Sequence, residues 1–107
     1  MFRQPDDSGF RCVLDKIWQK TLVYGESTLM TEFRLEKGAV LPRHSHRHEQ
    51  TGYLVSGSLD LTIGEETFRV EPGGSWCIAG HVEHSVIARE NSVAIEIFSP
   101  VREDYLP

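Results

Sequence analysis

Apolar and polar residues alternate with period two in short runs along most of the chain, most clearly in Val93-Ala94-Ile95-Glu96-Ile97-Phe98. Successive side chains of a β-strand point to opposite faces, so each such run reads as a strand with one face inward. Runs of this kind occupy 12–18, 28–35, 51–55, 58–63, 66–70, 75–78, 85–88 and 92–99. Turn-forming segments separate them, among them Tyr24-Gly25-Glu26-Ser27, Gly64-Glu65 and Pro72-Gly73-Gly74. Strands recurring at roughly eight- to twelve-residue intervals predict an all-β sandwich or barrel. No segment holds a 3.6-residue apolar period, so helix should be minor. The acidic, proline-bearing start, 1–9, reads as an arm on a single domain spanning 10–107, and 100–107 as an irregular tail.

Length and charge narrow the possibilities. A chain of 107 residues supports one hydrophobic core and not two. No apolar run approaches a membrane span and no secretory hydrophobic core opens the chain, so a cytoplasmic protein is expected. The net charge of -5, with no basic stripe, excludes nucleic acid as the expected partner. A small anionic ligand stays compatible, because it responds to the local field of a cleft. Cys12 and Cys77 lie far apart without metal or redox spacing and are expected as buried free thiols.

The chemistry concentrates in one stretch. Three of the five histidines, His44, His46 and His48, fall within five residues, and Glu49 and Gln50 follow directly. Strand alternation would turn His44, His46 and Gln50 the same way, and His84 on a later strand could sit opposite them. A divalent transition ion needs three or four such donors, and zinc, nickel, iron, manganese and cobalt all accept imidazole and amide ligands. Glu49 is a rival ligand to Gln50, although it breaks the alternation. Three imidazoles and a neutral amide would leave a divalent ion its full charge, which favours Lewis-acid chemistry on anionic substrates.

Gly38, His44, His46, Gln50 and Gly57 stand in the order Gly-x5-His-x-His-x3-Gln-x6-Gly, which resembles the first conserved motif of the cupins. The second motif falls on 73–88: Gly73 and His84 are in register, while Ala79, His81 and Ala88 replace its proline, glycine and asparagine. The resemblance covers nearly the whole chain. It implies a single-domain cupin, an RmlC-like jelly-roll barrel, with one metal held by His44, His46, Gln50 and His84. The family ligand at the Gln50 position is usually glutamate. His48 and His81 are expected at the rim, with His81 lining the mouth of the pocket.

The last strand adds a second cluster. Ala94, Glu96 and Phe98 share a face, and a glutamate among apolar residues is hard to solvate unless that face opens on a cavity. Arg102 follows at the strand exit and could grip a carboxylate. The segments around His44–Tyr53, His84 and Phe98–Leu106 resemble the pectin-degradation cupins, which open and ketonise 4,5-unsaturated monouronates. That resemblance implies Glu96 and Arg102 as catalytic residues, with Phe98, Arg102, Tyr53 and His81 as substrate contacts. The family acid is typically aspartate, one methylene shorter than Glu96. A non-catalytic small-molecule-binding cupin and an Fe(II) dioxygenase-type cupin are the alternatives. The partner implied is a small anionic sugar or carboxylate. A homodimer is expected to cover the outward face Val93, Ile95 and Ile97.

Overall fold

The alternating runs fold as ten antiparallel strands in two sheets, described over all 107 residues by a computed structural model. They are β1 (Arg11–Leu14), β2 (Ile17–Tyr24), β3 (Leu29–Leu35), β4 (Val40–His44), β5 (Glu49–Ser56), β6 (Leu59–Ile63), β7 (Glu66–Val70), β8 (Ser75–Ile78), β9 (His84–Ala88) and β10 (Ser92–Ser99). The larger sheet has the order β1-β2-β3-β10-β5-β8, and the smaller β4-β9-β6-β7. The only helical element is a single 3₁₀ turn, Glu103–Tyr105.

The inner faces of both sheets supply one core. Ile17, Leu35, Leu54, Ile78 and Ala94 from the larger sheet pack with Leu59, Leu61, Val70 and Ala88 from the smaller one. Leu54 and Leu59 lose essentially all contact with water, each worth about 1.5–3 kcal/mol of burial. Val93, Ile95 and Ile97 face outward from the larger sheet, beside the half-exposed Tyr53 and Val55.

Two strands depart from the pattern. The run 12–18 is a hairpin rather than one strand: β1 ends at Leu14 and β2 starts at Ile17, with Lys16 at φ 64° in the turn. Asp15-Lys16 carries no glycine, so this tight turn lacks the usual signal. β4 also went unmarked, because Pro42 breaks its alternation. It is an edge strand, where a missing N–H costs little. Both thiols, expected in the interior, are exposed: Cys77 is on the outer face of β8, and Cys12 is on the four-residue edge strand β1. No helix is long and apolar enough to cross a membrane.

Candidate metal centre and its cavity

Polar side chains enter the inward rows toward one end of the central strands. On β5 the sequence is Leu54, Gly52, Gln50; on β10 it is Ala94, Glu96, Phe98; on β9 it is Ala88, Val86, His84. Register holds these rows together, since Gln50 pairs with Phe98, Gly52 with Glu96, and Leu54 with Ala94. One end of the barrel is therefore core, and the other opens as a cavity of about 700 Å³. His44, Gln50, His84, Glu96, Phe98 and Arg102 line it.

His44 closes β4 directly opposite His84, which opens β9. His46 is not on the same strand as His44. The chain leaves the smaller sheet after His44 and enters the larger one at Glu49, so 45–48 is a crossover between sheets. The cluster thus draws donors from both sheets and from the connection between them. His44, His46 and His84 offer ring nitrogens within 4.8 Å of one another. His48 lies outside this group, although its backbone carbonyl takes part in it.

The three rings share one tautomer. Nδ1 of His44 donates to Pro42 O at 2.8 Å, Nδ1 of His46 to His48 O at 3.0 Å, and Nδ1 of His84 to Val82 O at 2.9 Å. A carbonyl only accepts, so each Nδ1 carries a proton, and in the neutral ring Nε2 then keeps a lone pair. Burial holds His84 neutral by lowering its pKa to about 4. His46 is lowered chiefly by burial and next by the nearby Arg102 charge. Nε2 of His84 is buried with no hydrogen-bond partner.

Gln50 lies beside the three histidines. It is 5% exposed, and its Oε1 stands 2.7 Å from Nε2 of His46. With the His46 proton on Nδ1, these are two lone-pair atoms facing each other, an arrangement that a shared cation relieves. Three neutral imidazoles and an amide oxygen fit a divalent transition ion, which would also satisfy the unpartnered Nε2 of His84. Glu49, the rival ligand, is exposed and pairs with Ser99 at the strand end.

Glu96 lies beside this cluster, on the strand next to that of Gln50, and lines the same cavity. Its carboxylate accepts Nε1–H of Trp76 at 2.8 Å and a short hydrogen bond from Nε2 of Gln50. Burial raises its pKa to about 7, against the opposing Trp76 hydrogen bond and Arg102 charge. Arg102 comes from the tail but turns inward, its side chain 17% exposed. The guanidinium lies 5.0 Å from the Phe98 ring centre and 4.2 Å from that of Tyr105. Its Nε donates to Asp104, and neither terminal nitrogen takes part in that pair.

Two expected substrate contacts lie elsewhere. Tyr53 is on the outer face of β5, in register with Ile95 and Ser75 and 50% exposed, outside the cavity. The strand parity that points Gln50, Gly52 and Leu54 inward points Tyr53 outward. The exposed His81 contributes backbone rather than side chain: its N–H donates to His46 O at 2.7 Å, at φ 68°. That left-handed conformation is the reason a glycine suits this slot.

Trp76 and Tyr105 line the cavity without having been singled out in the sequence. Tyr105 packs edge-on against Phe98 and Phe33, and burial raises its phenol pKa. The inward parity of β8 pointed to Trp76. No pattern in the tail marked Tyr105, whose carbonyl accepts from Thr21 Oγ1 at 2.5 Å.

Residues 31–99 match the cupin domain family. The pectin degradation protein KdgF of Dickeya dadantii is 29% identical over 103 residues, 94% of each chain. The solved structure of KdgF from Halomonas sp. superposes with a TM-score of 0.87 at 30% identity, over 91% of this chain and 90% of that one. An RmlC-like cupin from Shewanella frigidimarina has the same fold, with a TM-score of 0.93 at 24% identity over 98% and 95% of the two chains.

Proposed function

This chain belongs to the cupin domain family, and from that membership and the site's geometry we propose that it opens and ketonises 4,5-unsaturated monouronates from pectin or alginate breakdown. One observation carries the reading: a single cavity lined by His44, His84 and Gln50, with His46 grouped against both histidines, also holds an acid, an aromatic ring and an arginine at 96, 98 and 102. Similarity to two KdgF proteins supports it. A divalent metal held by the three Nε2 atoms and Gln50 Oε1 would supply Lewis acidity toward the substrate's enol ether.

The remaining chemistry belongs to this chain's own residues. Arg102 offers its terminal nitrogens to the uronate carboxylate, held in place by Asp104 and two aromatic rings. Phe98 packs against the sugar face. Glu96 takes the proton of the anomeric hydroxyl as the C1–O5 bond breaks, giving the aldehyde and the C5 enolate. It then returns that proton to C4, so the enolate becomes the 5-keto-4-deoxyuronate with no net proton change. Burial pushes this carboxylate's pKa upward, toward the operating pH at which acid/base catalysis works best.

The test is loss of the ultraviolet absorbance of the conjugated double bond in unsaturated galacturonate- and mannuronate-derived monomers, with metal-loaded protein. Acceleration over buffer without oxygen uptake is expected. Decay at the buffer rate with every first-row divalent ion overturns the reading. Oxygen uptake with iron alone would replace it by dioxygenase chemistry.

A further inference from the structure

Glu96, Gly52 and Trp76 form a row across three adjacent strands. Gly52 on β5 is in register with Glu96 on β10 and with Trp76 on β8. A Cβ at position 52 would lie 2.2 Å from the indole. The indole thus occupies the space of the absent side chain. It crosses β5 to place Nε1–H on Glu96 Oε1 at 2.8 Å. The other carboxylate oxygen accepts Nε2–H of Gln50.

These bonds decide which end of Gln50 faces the histidines. With Nε2 committed to Glu96, Oε1 points at the cluster with its lone pairs available. The flipped amide would set carbonyl oxygen against carboxylate and present N–H groups, which cannot ligate, to the ion. A glutamate at 50 would set two carboxylates together. The amide at 50 is therefore matched to the carboxylate at 96.

We propose that Trp76, lying across Gly52, is a positioning residue of the metal centre: it holds Glu96, which locks the Gln50 amide with its oxygen toward His44, His46 and His84. This rests on the metal-binding reading above. Partners of this kind orient ligands, and their loss typically costs ~10–100-fold in metal affinity.

The experiment is Co(II) titration of chelator-treated protein, followed by the visible absorption of the bound ion and by competition with a chelator. Trp76→Phe keeps an aromatic filler and removes the N–H. It should bind Co(II) roughly 10–100-fold more weakly, with an altered spectrum. Gly52→Ala, which pushes the indole aside, should move both readouts the same way. Where Trp76→Phe does not fold, Glu96→Gln asks the same question. A carboxamide has one acceptor oxygen for two N–H donors, so affinity and spectrum should again change.

A Trp76 that only fills space predicts a wild-type spectrum and affinity for Trp76→Phe, and that result overturns the proposal. Wild-type protein that binds no Co(II) would overturn the metal reading and this proposal together, so the two failures are separable.

Discussion

Replacing Arg102 tests whether the tail supplies the carboxylate grip. The guanidinium lies against the rings of Phe98 and Tyr105 and is tied at Nε to Asp104, so it is oriented before substrate arrives. A hydrogen bond to a charged partner contributes roughly 1.5–3 kcal/mol. At 1.36 kcal/mol per decade, Arg102→Ala should raise KM by roughly 10- to 150-fold. The carboxylate stays ionised throughout the reaction, so this binding is nearly uniform and kcat should change little. Arg102→Lys keeps the charge but loses the fork, and should fall between. Initial rates on the unsaturated monouronate and on its methyl ester supply the assay. Wild type should prefer the acid, and Arg102→Ala should lose most of that preference. An unchanged KM, or a collapse of kcat with KM preserved, would refute the grip.

With the metal site kept saturated, Glu96→Ala should lower kcat by roughly 10²–10⁴-fold with a small change in KM. An equal loss in both would point to binding instead. Adding and then chelating a bound divalent ion should shift the melting temperature: at a thousandfold excess over Kd the ion contributes about 4 kcal/mol, on the order of 15–30 °C for a domain this size. A melting curve indifferent to metal would rule out the donor set. Asp60 is held below its ordinary 3.8 first by its bond to Arg69, then by that to Arg89. Its contribution is present above that value and fades as pH falls through the lowered one. The melting difference between wild type and Asp60→Asn should accordingly shrink in acid, and a pH-independent gap would contradict this. Ile95→Arg on the outer face should shift sedimentation from dimer to monomer, and a wild-type monomer would dismiss the homodimer.

How much could be read beforehand depended on what each segment's pattern reports. Alternation is a direct record of which face is buried. It therefore placed Ala94, Glu96 and Phe98 together, and Glu96 does face the cavity. It failed where burial is not periodic. β4 is an edge strand with a proline, and 45–48 crosses between sheets, so extrapolating strand parity through His46 and His48 had no physical basis. Motif spacing still led to His44, His46, Gln50 and His84, because spacing counts residues and is indifferent to the conformation between them. Tyr53 was misplaced by ignoring the parity that put Gln50 inside. Tyr105 was invisible because its position depends on tertiary contacts of the tail with Thr21, Phe33 and Phe98.

Glu96 is asked both to orient Gln50 and to move a proton, and its chemistry allows both. An ionised carboxylate has about four lone-pair sites, and Trp76 and Gln50 use one on each oxygen, leaving one on each for substrate. Burial raises the pKa to about 7, while the Trp76 hydrogen bond and the Arg102 charge favour the charged form. An additional divalent charge in the cluster would lower it again. That shift favours the ionised form Glu96 needs to act first as the base on the anomeric hydroxyl and only afterwards as the acid at C4. An aspartate at 96 would end about 1.5 Å earlier, short of an indole that reaches it from across Gly52. The longer acid, the missing side chain at 52 and the indole at 76 therefore belong to one device, and changing any one of them alone should disturb the ligand at 50.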